Sequence, residues 1–387
     1  MIRAAIASLL LFLAAPDEWS EFRVLSRDRD PERRCEAVEK IRPRADLPMV
    51  QALLPLFADP HARVRKRAAE AAKDRAYQVR LMAALVAPKL EIESARAALA
   101  SGLADADWRV RVQAIESACE VRDRSAIGPM IDLLGKEKGR LRWDLFLALR
   151  DLTGKDLGLD APNWKRWWDA NRETFAVPPK GAAGEAARPG GETGVQFFSL
   201  PILSTRMSFV LDLSGSMREP APPVPGRPAE SKLELAKREM GRTLAQLPET
   251  VWFNLLLLGC DGDGRYEKGR MSWKKTLQPA TPRGRAEAAS FLNRQEGKGW
   301  TNIWDGIELA FEDDLVDTIY LYTDGGASRG IFVATDDIFD ELRKMNRFRK
   351  IMVHTVEVAA EKPNTADNIR LLKGLAEQTK GFYRLAK

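Results

Sequence analysis

The residues best suited to chemistry lie in the second half of this 387-residue chain. Asp212, Ser214 and Ser216 alternate within Asp212-Leu213-Ser214-Gly215-Ser216-Met217. Trp300-Thr301-Asn302 and Thr323-Asp324-Gly325 form two further polar clusters. Taken together, Asp212, Ser214, Ser216, Thr301 and Asp324 offer two carboxylates and three hydroxyls, which are all hard oxygen donors. Such a set suits magnesium, calcium or manganese. Magnesium is the first expectation, with calcium or manganese as alternatives. Hydroxyl ligands add no charge, so a bound ion stays electrophilic and keeps a position for an incoming anion such as a partner's carboxylate. Zinc is disfavoured, because zinc sites draw mainly on His and Cys. The chain has two histidines, His61 and His354, and three well-separated cysteines, Cys35, Cys119 and Cys260.

These clusters need elements to aim them. Ser208 to Leu211 reads as a buried strand running straight into Asp212, and Thr318 to Tyr322 as another running into Thr323. Val251 to Leu258, Ile351 to Val358 and Phe382 to Leu385 are further apolar runs of strand length. Ser231 to Leu247, Arg283 to Arg294, Ile303 to Phe311, Thr335 to Asn346 and Asn364 to Lys380 have helical periodicity. Continuous apolar strands alternating with helices predict an α/β, doubly wound, mostly parallel sheet covered on both faces. Ligands of such sheets bind beyond the carboxyl ends of the strands, and the three clusters fall at such positions or in nearby loops, Trp300-Thr301-Asn302 just before a helix. Gly215 and Gly325 permit the tight turns this needs.

Asp-x-Ser-x-Ser followed by a separate Thr and a Thr-Asp-Gly resembles the metal-ion-dependent adhesion site of von Willebrand factor A domains, over roughly residues 200–387. Lys232-Leu233-Glu234-Leu235-Ala236-Lys237 and Thr301-Asn302-Ile303-Trp304-Asp305-Gly306 resemble bacterial members. The resemblance implies that Ser214, Ser216 and Thr301 contact the metal directly, and Asp212 and Asp324 directly or through water. Two features depart from it. Trp300 stands where many members have glycine. Residues 218–230 insert Pro220, Pro222, Pro223, Pro225 and Pro228 beside the site, which predicts a mobile flap, either gating access or a neutral surface insertion. Asp261-Gly262-Asp263-Gly264 with Glu267 lacks the spacing of a calcium loop and reads as an acidic turn.

Upstream the pattern changes. Residues 1–16 read as an export signal: Arg3 precedes an apolar run, Ala4 to Ala15, too short to span a bilayer. Leu13 and Pro16 leave open whether it is cleaved or kept as an anchor. No later stretch is apolar enough to cross a membrane. Residues 17–175 read as helical, with two segments aligned at an offset of 46 residues: Asp59 with Asp105, Arg63-Val64-Arg65 with Arg109-Val110-Arg111, and Ala68 with Ala114. A weaker copy begins at Asp30-Pro31. This period and its Asp-x-x-x-x-Val-Arg-x-x-Ala pattern resemble HEAT-like repeats, an α-solenoid of stacked helix pairs. Trp164, Trp167 and Trp168 share one helix face and read as the cap of that domain. Residues 176–194, rich in Pro and Gly, read as a flexible linker with an end-to-end distance of roughly 25 Å. Residues 195–387 form the α/β domain.

Composition narrows the function. Hydrophobic content of 45%, charged content of 30% and a net charge of +6 with interleaved signs fit a globular protein with no nucleic-acid stripe. No Gly precedes Ser214 by two positions, so the nucleophile-elbow pattern fails, and no spare general base accompanies the metal ligands. The expectation is an exported, non-enzymatic protein placed in the periplasm, at the cell surface or outside the cell. Its metal captures an exposed Asp or Glu of a protein partner, and its helical repeats supply a second surface. The alternatives are a metal-dependent hydrolase and a scaffold whose solenoid alone recognises partners.

Overall fold

A computed structural model describes residues 21–22, 24–41, 56, 59–61, 63–64, 77–90, 92–182, 194–223, 226, 228–259, 272–358 and 365–386. The segments expected to be an export signal and an acidic turn (Asp261 to Glu267), Cys260, the repeat residues Arg65 and Ala68, and residues 183–193 of the expected linker lie outside them. The chain divides into two compact units, Met1–Glu137 with Leu141–Ala186 and Lys138–Arg140 with Ala187–Lys387. No helix among the described residues is long and apolar enough to cross a membrane.

The described part of the first unit is helical: α1 (Pro31–Ile41), α2 (Tyr77–Val86), α3 (Ile92–Leu103), α4 (Trp108–Glu120), α5 (Ile127–Leu134), α6 (Arg140–Thr153) and α7 (Ala161–Asn171). Two ion pairs recur in it with the same form. Arg34 grips Asp59 through Nε and Nη2 at 2.6 and 2.9 Å, and Arg80 grips Asp105 the same way at 2.6 and 3.0 Å. Each carboxylate also accepts the backbone N–H two residues on, from His61 and from Asp107, at 2.8 Å. The aligned aspartates of the sequence repeat therefore carry an equivalent clamp. Trp164 is fully buried, donates to the Gly158 carbonyl at 2.8 Å and meets Trp167 edge to face. Pro178 accepts a hydrogen bond from Arg122 at 2.6 Å, which ties the start of the Pro- and Gly-rich segment to this unit.

The second unit opens with a short hairpin, β1 (Gln196–Phe197) and β2 (Leu200–Pro201). Then follow β3 (Arg206–Asp212), α8 (Lys232–Gln246), β4 (Trp252–Leu258), β5 (Gln278–Pro279), α9 (Pro282–Asn293), α10 (Ile303–Phe311), β6 (Thr318–Thr323), α11 (Thr335–Arg349), β7 (Met352–Val358), α12 (Ala366–Gln378) and β8 (Tyr383–Ala386). The sheet runs β5-β4-β3-β6-β7-β8, parallel except for the antiparallel edge strand β5. Side-chain alternation splits the core into two layers. Phe209, Leu211, Tyr320 and Tyr322 pack under α8 and α9, while Val210, Ile319 and Leu321 pack under α10, α11 and α12. A sheet buried on both faces needs apolar residues at every strand position, which is why these strands lack alternation in sequence. α8 starts with a reciprocal cap between Ser231 and Glu234, and α10 with Asn302 accepting from the Asp305 N–H.

From β3 the chain first winds outward to β4, then returns to place β6 on the other side of β3. The strand order thus reverses between β3 and β6. A crevice opens at such a switch point beyond the carboxyl ends of the strands.

Candidate functional site

Asp212 ends β3 at that crevice and is fully buried. One carboxylate oxygen accepts the Ser214 N–H at 2.7 Å, and the other accepts the Thr323 hydroxyl of β6 at 2.5 Å. Burial pushes the Asp212 carboxyl up to about 6, and the nearby Asp324 charge adds to this, while the bonds from Thr323 and Ser214 oppose it. After Asp212 the chain turns through Ser214 into a 3-10 segment, Gly215–Arg218. This turn points the serines along one line: Ser214 Oγ lies 3.0 Å from Ser216 Oγ, which donates to Asp324 Oδ1 at 2.9 Å.

Backbone bonds bring in the third cluster. Gly215 N–H donates to the Gly299 carbonyl at 3.0 Å, and Lys298 N–H to the Leu213 carbonyl at 2.6 Å. The Thr301 carbonyl accepts from Ser328 N–H at 2.9 Å and Arg329 N–H at 3.1 Å. Ser214, Ser216, Thr301 and Asp324 consequently line one cleft of about 420 Å³, with Gly299, Trp300, Gly325 and Ser328 on its walls. Asp212 lies beneath it. All five residues expected from the sequence therefore gather at one end of the sheet.

The donor chemistry fits a hard cation, since Asp212, Ser214, Ser216, Thr301 and Asp324 all present oxygen. Among the described residues, no three His, Cys, Asp or Glu side chains gather as a metal cluster. A cation held here would rely on the serine and threonine hydroxyls. Trp300 lines the cleft and is 46% exposed, with the Arg329 guanidinium 5.1 Å from its ring centroid. His354 is remote from nucleophilic work: it is enclosed in the sheet, stacked between Tyr320 and Phe382, and accepts the Phe382 N–H at 2.9 Å.

Two residues of the site escaped sequence reasoning. Lys232, the first residue of α8, is fully buried and donates to Asp324 Oδ2 at 2.7 Å and to Glu219 at 2.8 Å. Burial works against its charge, but these two carboxylates outweigh it and hold the ammonium above its ordinary value. Glu219 belongs to the Pro-rich insertion that was expected to be a flap. The base of that insertion is closed: Pro220 bridges to Ser231, Ala221 N–H donates to the Glu230 carbonyl, and Lys232 N–H to the Glu219 carbonyl, while residues 224, 225 and 227 lie outside the described residues. A signal for Lys232 existed, because it falls on the same helical stripe as the buried residues Ala236, Met240 and Thr243.

No protein-family model matches the chain. The chain is similar to inter-alpha-trypsin inhibitor heavy chain H3 of Homo sapiens, 30% identical over 151 residues, covering 35% of this chain and 15% of that one. The Pongo abelii heavy chain H3 is 34% identical over 116 residues, covering 29% and 11%. The match is thus to a small part of those proteins. Among solved structures, the chain is similar to a von Willebrand factor type A protein from Catenulispora acidiphila, with a TM-score of 0.34 at 15% identity over 47% of this chain and 38% of that one. It is likewise similar to proximal thread matrix protein 1 from the mussel byssus, with a TM-score of 0.33 at 16% identity over 47% and 41%. The strand order and the flanking helices fit the doubly wound, mostly parallel α/β fold expected from the sequence.

Proposed function

We propose that the chain is an exported, non-enzymatic binding protein whose α/β unit captures an acidic group of a protein partner through a divalent cation, magnesium first. One observation carries this reading: the line of oxygens from Ser214 through Ser216 to Asp324, opening into a cleft at the sheet's switch point. Ser214, Ser216 and Thr301 would hold the ion, with Asp212 and Asp324 binding it directly or through water. The ion would supply a Lewis-acidic position for a carboxylate. The protein's own residues orient the hydroxyls and keep the ligand set low in charge. Ser214 has a hydroxyl and a backbone turn around it, with His354 enclosed elsewhere in the sheet, which favours binding over hydrolysis. The helical unit, read as HEAT-like repeats, would offer the second surface, and residues 1–16 would direct export.

Calorimetric titration of the full chain with Mg²⁺ and Mn²⁺ tests this reading. The wild type should bind one equivalent, and D212A/S214A should lose it. Equal affinity in that double variant would remove the site from the function. Affinity capture with the intact chain, with and without chelator, should show protein partners that are lost on chelation. Partners retained equally in chelator would shift recognition to the helical unit.

A further inference from the structure

Lys232 stands apart from the oxygen set. An ammonium is expensive to bury unless it is closely paired. Lys232 is held from several sides: Nζ sits between Asp324 and Glu219, its N–H donates to the Glu219 carbonyl at 3.0 Å, and its carbonyl accepts the Tyr322 hydroxyl at 2.9 Å. Its two partners differ sharply. The Asp324 side chain is 6% exposed and also faces Ser216, whereas the Glu219 side chain is 62% exposed at the rim. Asp324 therefore has one oxygen toward the serines and the other toward a fixed positive charge.

We infer that Lys232 is a tethered cation that sets the divalent affinity of this site, holding Asp324 in the ion-free protein and opposing by repulsion any ion that shares that carboxylate. Glu219 works against it, drawing the ammonium toward the rim. This inference rests on the proposed metal-binding function and adds a residue that limits it. Lys232 is a positioning and affinity-setting residue, and the two variants below move affinity in opposite directions, which a packing role alone would not do.

The experiment titrates Mn²⁺ and Mg²⁺ into the full-length wild type, K232Q and E219Q by calorimetry, with melting in chelator alongside. K232Q should bind about tenfold tighter, the size of repulsion between a monovalent and a divalent charge at close range even in water, and should melt lower in chelator. E219Q, altered at an exposed position, should bind about two- to fivefold weaker. If the wild type binds and K232Q binds equally or more weakly, or if E219Q binds more tightly, the inference falls while the proposed function stands. If K232Q does not fold, the E219Q direction decides. If the wild type binds nothing and K232Q binds, the inference holds and the native chain's metal-dependent function falls. If neither binds, both fall.

Discussion

Thr323 donates its hydroxyl hydrogen to Asp212 across the seam between β6 and β3, at 2.5 Å. It adds a side-chain tie, beyond the backbone ladder, between the two strands at whose carboxyl ends the crevice opens. Its partner is a fully buried carboxylate, so the bond stabilises a charge that would otherwise sit in an apolar sheet. Thr323 Oγ1 also accepts the Gly325 N–H at 3.2 Å, which shapes the turn carrying Asp324. One hydroxyl thus holds Asp212 and shapes the turn that follows β6.

Replacing this hydroxyl with a methyl group tests that role. T323V keeps the side-chain shape but leaves Asp212 one donor short. Hydrogen bonds to charged groups contribute about 1.5–3 kcal/mol, so T323V should lose roughly that much stability in chelator at neutral pH. Urea denaturation measures it. A variant as stable as the wild type would mean that Asp212 is satisfied without Thr323.

Acid should reveal two buried groups acting in opposite senses. Burial, followed by the charge of Arg140, pushes His354 down to about 3. The unfolded chain takes up this proton near 6.5 and the folded chain does not, so His354 contributes stability above that value that is lost as pH falls toward 3. Asp212, raised to about 6 from 3.8, behaves in the reverse sense: stability is gained as pH falls from about 6 toward 3.8. Each slope is about 1.4 kcal/mol per pH unit, so the two largely offset one another between pH 6 and 4. D212N removes the Asp212 contribution. Its melting temperature in chelator should fall more steeply than that of the wild type across that window. Parallel curves would show that Asp212 does not titrate there.

The sequence revealed the fold wherever burial left a pattern. β3, β4, β6 and β7 were legible because a doubly covered sheet demands unbroken apolar runs. The short strands β1, β2 and β5 were not, because two residues carry no period. The five oxygen residues were readable from their places after strands and before a helix. Glu219 was not, and Lys232 showed only its place on the buried stripe of α8, since spacing along the chain does not tell which charged partners the fold brings to it. The 46-residue repeat showed its aspartates, but their partners Arg34 and Arg80 lie 25 residues earlier and only the fold brings them together.

Gly306 sits inside α10, where glycine is ordinarily unfavourable by about 1 kcal/mol relative to alanine. Packing explains it: a Cβ there would lie 2.0 Å from Leu258 Cδ2 and 3.1 Å from Val210 Cγ1, both buried residues of the sheet. G306A should gain helix propensity yet lose about 1–3 kcal/mol net through overpacking. Because Asn302 and Thr301 begin this helix, the same variant should also weaken cation binding. Thermal melts and titration read both effects. A more stable G306A would show that Leu258 can move aside at little cost.

The clamps of the helical unit make a final, separate prediction. Asp105 is a nearly buried carboxylate whose side chain is 8% exposed, and Arg80 neutralises it through two bonds. Removing Arg80 alone strands that charge, and breaking a buried pair is more damaging than replacing both members. R80M should therefore destabilise the helical unit by about 2 kcal/mol, discounted for the partial exposure of the pair. Adding D105N should recover part of the loss, because the neutral amide can still accept the Asp107 N–H through its oxygen without a charge to bury. Calorimetric unfolding of R80M and R80M/D105N distinguishes the two contributions. If the double variant is no more stable than R80M, the guanidinium's packing and not its charge holds the repeat. The equivalent pair, Arg34 and Asp59, should then respond to R34M in the same way, since both clamps share one geometry.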